Sequence, residues 1–222
     1  MAATTLPIFP LPLVLFPGVT IPLHIFEPRY RRMLADCLER DRRFGIVFLA
    51  EGTSEDSLGI GGDIGCVAHI ESHDELPDGR SNITVVGRER FTLRAFVMSP
   101  LPYHVGMIVP YDDVRESEAS LEPLATRVRE RFERIARAAR IISDAQDAVP
   151  ELPDDPALLA FRVASFIDLN VEERRRLLAS TSAGERLRTV DGVLTPAVEP
   201  MEQRAEMHAR SKTNGHGSVA PL

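Results

Sequence analysis

The chain has 222 residues, 44% hydrophobic and 27% charged, which is enough for one well-filled core or two smaller layers. A formal net charge of −7 sets the field of the molecule against phosphate backbones and anionic headgroups, so nucleic-acid and membrane-surface partners are disfavoured. With only Cys37 and Cys66, no basic N-terminal region, and an apolar start broken by Pro10 and Pro12, the chain reads as cytoplasmic, without a signal peptide or membrane span.

Leu6 to Leu38 organises the first half. It predicts two short apolar strands joined at Pro17-Gly18, then a helix opening at Pro28, where a missing N–H costs nothing. Val19, Ile21 and Leu23 alternate with Thr20, Pro22 and His24, the period of a half-buried strand. After Pro28 the period lengthens, and Tyr30, Met33, Leu34, Cys37 and Leu38 fall on one helical stripe. The prolines at 7, 10, 12, 17 and 22 each delete a backbone donor, so the segment is expected at a sheet edge or barrel rim.

Strands are further expected over Arg43–Leu49, Asp63–Ser72, Ile83–Val86, Arg90–Val97 and Tyr103–Pro110, with a turn at Asp78-Gly79 and a bulge or bend at Gly87. The period then changes. Leu121, Leu124, Val128, Phe132, Ile135, Ala139 and Ile142 define a long amphipathic helix, with Glu130–Arg134 and Glu133–Arg137 as i,i+4 pairs. Asp155-Pro156 opens another helix carrying Leu159, Val163 and Phe166, and Asn170-Val171-Glu172-Glu173 and Ser182-Ala183-Gly184-Glu185 have the capping form of two more. From Pro196 periodicity disappears, and a flexible tail is expected.

The run FPLPLVLFPGVTIPLHIFEPRYRRML, from Phe9 to Leu34, resembles the opening signature of the Lon protease N-terminal, or substrate-binding, domain family. Phe44-Gly45-Ile46-Val47, Leu76-Pro77-Asp78-Gly79-Arg80 and Val86-Gly87-Arg88-Glu89-Arg90-Phe91 follow in the same order. The resemblance covers the first half well and the helical half, to Leu194, more loosely. It implies an α+β protein: a PUA-like twisted, partly closed β-barrel domain over residues 1–113 and a helical bundle over 118–195; the loss of periodicity marks 196–222 as the expected flexible tail. It also implies polypeptide binding rather than cleavage, in a stand-alone member without ATPase or protease domains.

The residues themselves offer no catalytic constellation. No G-x-x-x-x-G-K-[ST] loop occurs, and the sole lysine, Lys212, falls in the expected tail, so a Ser-Lys dyad has no lysine to use. Gly59-Ile60-Gly61-Gly62-Asp63-Ile64-Gly65 lacks the glycine spacing and following helix of a dinucleotide loop. Cys66, His69, Glu71 and His73 are a poor metal set: on a strand, Cys66 faces away from His69 and Glu71, and His69 and His73 stand roughly 13 Å apart. Neither a cofactor nor a metal is expected.

Two charged clusters remain. His24, Glu27, Arg29 and Tyr30 sit where a strand hands over to a helix, and Arg88, Glu89 and Arg90 follow a second strand; pairing of Glu27 with an arginine such as Arg90 would lock sheet to helix. The expected function is a non-enzymatic module that holds exposed hydrophobic or unfolded polypeptide segments, as an adaptor in proteolysis whose protease partner the sequence does not name. Its expected contacts are Leu13 and Phe16 on the proline-rich edge, and His24 and Tyr30 at the hand-over. The alternative, which rests on PUA-like fold similarity, is recognition of a small molecule or RNA; the acidic charge weighs against RNA.

Overall fold

The computed structural model describes residues 4–59 and 62–214. Ile60 and Gly61 of the glycine-rich loop, and the end of the expected tail, lie outside the described residues. The chain forms two compact units, one of Met1–Arg115 with Ala164–Ser182, the other of Glu116–Val163 with Ala183–Leu222. The helical half is therefore interrupted by a segment that returns to the β unit.

The β unit holds β1 (Thr4–Leu11), β2 (Thr20–Ile25), α1 (Pro28–Leu38), β3 (Arg43–Phe48), β4 (Ile64–Glu75), β5 (Ser81–Val97) and β6 (Val105–Pro110). The strand order is β2-β5-β4-β3-β1-β6, and β5 also pairs with β6, so five strands close a ring and β2 hangs on β5 alone. The protein is α+β, as expected. The two strands expected over Ile83–Val86 and Arg90–Val97 are one strand, β5. It bends at register shifts between Cys66/Ala68 on β4 and between Leu93/Ala95 on β5 itself, which lets its first part serve β2 and its last part β6.

The prolines of β1 are accommodated differently from the expectation. Thr4–Pro7 pairs antiparallel with β6, and Ile8–Leu11 pairs parallel with β3, so each half of the strand has one partner. The Leu11 carbonyl accepts from Leu49 N–H and Ile8 N–H donates to the His104 carbonyl, which fixes the alternation of backbone groups. By that alternation Pro7 and Pro10 each aim the missing donor at the side without a ladder. β1 thus lies inside the sheet order, and the edge strand is β2.

Between β1 and β2, Pro17 and Gly18 take the central positions of a turn closed by Val19 N–H on the Phe16 carbonyl. Gly18 has φ +73°, the left-handed conformation that a type II turn requires there. Gly18 N–H donates to the Gly87 carbonyl and Gly87 N–H to the Val19 carbonyl, so two residues face one across the strand pair, as in a glycine bulge.

Two apolar clusters fill the unit. One lies under α1, whose Tyr30, Met33, Leu34 and Cys37 pack with Phe9, Leu15, Phe44, Ile70 and Val85. The other joins Ile8, Val47, Val67, Phe91, Leu93 and Ile108. Its close packing depends on missing side chains: a Cβ at Gly45 or Gly65 would meet the Phe91 ring at 2.7 or 2.4 Å.

The helical unit holds α2 (Glu118–Ser143), α3 (Pro156–Ala164, its last residue excepted), α5 (Ala183–Leu194) and α6 (Val198–Asn214), while α4 (Val171–Ala179) belongs with the β unit. Asp191 of α5 holds Arg127 and Arg131 of α2, and Arg134 pairs with Glu202 of α6 at 2.7 Å instead of with Glu130. The expected pair Glu133–Arg137 is present at 3.0 Å. The stretch expected as a tail carries α6, which buries Val198 and Ala205 and brings Lys212 against Asp144. Its stripe of Val198, Met201, Ala205 and His208 is helical in spacing but too small and polar to read as one.

Candidate functional site

The four expected contacts fall in different surroundings. Phe16 is 1% exposed and Tyr30 3%, so neither offers a free surface. The Phe16 carbonyl lies against Gly87, and the Tyr30 ring packs on Phe9 with centroids 4.1 Å apart. His24 is exposed on β2, where its Nδ1 is 2.8 Å from Asn82 Oδ1 and its ring stacks with that of Phe26, which is 58% exposed. Leu13 is half-buried at the edge of a recess. The stretch from Pro12 to Phe16 is not a strand, so the edge expected there is replaced by that of β2.

Each pair along β2 and β5 keeps a constant register, from Thr20↔Val86 to Ile25↔Ser81. Because the Val19 carbonyl faces β5, the backbone groups of Ile21, Leu23 and Ile25 face it too, and those of Thr20, Pro22 and His24 face outward. The strand's one proline occupies an outward position, where it costs no ladder bond. The outer edge therefore offers the N–H groups of Thr20 and His24 and the carbonyls of Thr20, Pro22 and His24. Among the described residues β2 is the only strand of the sheet with a single partner strand.

The recess lies within the β unit and has a volume of about 280 Å³. Its apolar lining includes Leu13, Phe48, Ile64 and Leu178, and its mouth carries Asp63, Glu172, Arg175 and Arg176. α4 supplies the last three of these. Its start is fixed by a complete capping box, Asn170 Oδ1 accepting from Glu173 N–H and Glu173 accepting from Asn170 N–H. Arg90 fixes the other end. Its guanidinium, 4% exposed, donates to the Leu178 and Ser180 carbonyls at 2.6 and 2.7 Å and to the Asp113 carboxylate, and it stands over the Tyr111 ring. The expected Glu27–Arg90 pair is thus replaced: Arg90 anchors α4, and Glu27 pairs with Arg29 at 3.1 Å.

The hand-over cluster closes on a residue that the sequence did not single out. Glu55 accepts both Nη groups of Arg29 at 3.0 and 2.8 Å and the Tyr30 hydroxyl at 3.3 Å, and it pairs with His104 Nε2 at 2.6 Å. Burial works to raise the Glu55 carboxyl, but the Arg29 bond and charge and the His104 contact outweigh it and hold it below its ordinary range. Burial, with the Glu55 charge added, pushes the Tyr30 hydroxyl up, so that it remains a donor. A carboxylate so saturated with donors is suited to tying the loop at Glu55–Ser57 onto α1 and unsuited to taking a proton at neutral pH. Nothing in the sequence spacing pointed to Glu55 or His104, because the contacts span 26 and 49 residues.

The two thiols are buried, with Cys37 pushed up to about 12 by burial and Cys66 raised by the same cause, which leaves them inert as nucleophiles. His73 Nε2 is 3.1 Å from Ser81 Oγ, and among the described residues no three acidic, histidine or cysteine side chains come together as a metal set. Among the described residues, no helix is long and apolar enough to cross a membrane.

Comparison with known proteins accords with this arrangement. Residues 5–195 match the family described as the ATP-dependent protease La (LON) substrate-binding domain. The chain is 28% identical over 208 residues to Lon protease 2 of Herpetosiphon aurantiacus, covering 90% of this chain and 25% of that one. It is also 28% identical over 216 residues to Lon protease 1 of Thermus thermophilus, covering 93% and 26%. It therefore spans about a quarter of the length of the curated relatives it matches, and the family it matches is that of the substrate-binding domain. Among solved structures, a Lon N-terminal domain protein from Xanthomonas campestris superposes with a TM-score of 0.60 at 25% identity, covering 84% of this chain and 96% of that one. The N-terminal domain of Mycobacterium avium complex Lon protease has the same fold, with a TM-score of 0.60 at 16% identity and coverage of 86% and 98%. With a family match across most of its length and this fold, the chain belongs to the Lon substrate-binding domain family.

Proposed function

We propose that this protein binds exposed or unfolded polypeptide segments without cutting them, by adding an extended segment to the outer edge of β2, and that it presents such segments for proteolysis. The observation that carries this reading is the open edge itself. Two N–H and three carbonyl groups there are oriented for a strand, and main-chain pairing of that kind binds polypeptide with little regard to sequence. The exposed Phe26 beside His24 adds apolar surface at the end of the edge. The family's description as a substrate-binding domain of an ATP-dependent protease supports the same reading. Two buried free thiols suit a protein working in the reducing cytoplasm.

Fluorescence anisotropy of a labelled, permanently unfolded protein tests this reading, with a folded protein of equal size as control. His24→Pro removes one outward N–H and adds ring bulk on the outer side, leaving the β5 ladder intact; His24→Ala keeps the N–H. The expected result is micromolar binding that His24→Pro weakens about tenfold, one hydrogen bond's worth of free energy, and that His24→Ala barely changes. Equal binding by the proline variant overturns the edge.

A further inference from the structure

We infer that the cleft at the C-terminal ends of α2 and α6 holds an acidic segment of a partner polypeptide, with a carboxylate side chain meeting Arg140 and a neighbouring apolar side chain lying on Ile141. The cleft belongs wholly to the helical unit and shares no residue with the β2 edge.

Three cations, Arg137, Arg140 and Lys212, line the cleft against one carboxylate, Asp144. Asp144 is already committed. It pairs with Lys212, and with His208 Nε2 at 3.3 Å, and these contacts hold its carboxyl below the ordinary range. Arg137 pairs at 3.0 Å with Glu133, which lies outside the lining. Arg140 is left over. Among the described residues its side chain makes no ion pair, and its Nε is shielded from solvent without a hydrogen-bond partner. The last-turn carbonyls that a basic residue at a helix end often serves, those of Arg140 and Ile141, accept instead from Ala145 and Asp144 N–H. Even with Glu133 counted, three cations face two carboxylates, a local positive excess on a chain whose net charge is −7.

The other side of the cleft is apolar. Ile141, 48% exposed, stands in the lining with Ala145 and Ala209. At about 460 Å³ the cleft falls within the roughly 300–1,000 Å³ of ligand sites, yet none of its lining residues is buried, so a segment of a larger molecule can enter from the side. A free inorganic anion would use Arg140 and leave the apolar wall bare, and a nucleic-acid backbone is repelled by the charge of the whole molecule. A glutamate or aspartate beside a large apolar residue serves both halves, because the guanidinium fork takes a carboxylate through two parallel hydrogen bonds.

Labelled ten-residue Gly/Ser peptides with Leu-Glu-Glu-Leu, Leu-Gln-Gln-Leu or Ser-Glu-Glu-Ser at the centre test this by anisotropy with the full chain. The expected result is that the first binds at least fivefold more tightly than either of the others, and that its advantage over the glutamine peptide shrinks with added salt. Arg140→Gln deletes the charge without breaking an ion pair. It is expected to bring the Leu-Glu-Glu-Leu and Leu-Gln-Gln-Leu peptides within twofold of each other while the thermal unfolding midpoint stays unchanged. No binding of the Leu-Glu-Glu-Leu peptide, or an Arg140→Gln variant that keeps the wild-type preference, overturns the site. Equal binding of the Leu-Glu-Glu-Leu and Ser-Glu-Glu-Ser peptides makes the cleft a plain anion site and overturns the polypeptide segment. A dimer of the protein alone, seen by sedimentation and dissociated by Arg140→Gln, gives the cleft to a second copy and overturns the foreign partner. The response of unfolded-protein binding to His24→Pro is read separately, so failure here leaves the β2 edge standing.

Discussion

Replacing Arg90 by methionine is the sharpest test of how α4 is held on the β unit. Methionine keeps most of the apolar stem but deletes the guanidinium that donates to the Leu178 and Ser180 carbonyls and to Asp113. Breaking a buried ion pair from one side costs roughly 3–5 kcal/mol, and orphaned carbonyls cost about 1–3 kcal/mol each. Asp113 is 28% exposed and rehydrates, which lowers the sum, so a loss of about 3 kcal/mol is expected. The assay is built into the sequence. The chain has no tryptophan, and its three tyrosines, Tyr30, Tyr103 and Tyr111, all belong to the β unit. Urea unfolding followed by tyrosine fluorescence therefore reports that unit alone. Amide exchange at Val114, whose N–H donates to the Thr181 carbonyl, reports the α4 end locally and is expected to quicken. Arg90→Lys, one ammonium for three acceptors, falls between wild type and methionine. A methionine variant that loses less than about 1 kcal/mol, with Val114 exchange unchanged, refutes the anchoring role.

Other substitutions probe the remaining joints. Glu55→Gln is expected to cost about 1–2 kcal/mol at pH 7, because the Arg29 and His104 contacts lose their charge. Since the folded carboxyl lies below its ordinary value of 4.5, the wild-type advantage is full above that pH and fades as pH falls through the folded value; a gap that widens in acid contradicts this. Gly87→Ala places a Cβ 2.1 Å from the Phe16 carbonyl oxygen, a backbone atom that no rotamer change can move. A loss of about 2–3 kcal/mol is expected by thermal unfolding, and an unchanged midpoint would mean that the turn before β2 yields freely.

Local rules were legible wherever neighbouring residues decide the structure. The Pro17-Gly18 turn, the start of α1 at Pro28 and the capping box of α4 were all read from short spacings, because their hydrogen bonds close within four residues. The apolar stripe of α1 was equally readable, and so was the absence of a phosphate loop and of a dyad lysine outside the expected tail. The family signature carried the rest of the fold class.

What the sequence could not specify was partner choice between distant segments. Five prolines marked the opening as short of donors, yet only the pairing of β1 with β6 and then β3 shows why two of them cost nothing, and it moves the open edge to β2. Arg90 was expected to pair with Glu27, but the fold brings it to carbonyls 88 and 90 residues away. Likewise α6, thin in apolar residues, is secured by Arg134–Glu202 and by Asp144, contacts that span more than 60 residues. By itself, then, the sequence determined elements, turns and family, because those depend on short-range backbone geometry and hydrophobic period. Tertiary structure alone decided which edge stays open and which charges line the recess, because both depend on long-range pairing that no local period encodes.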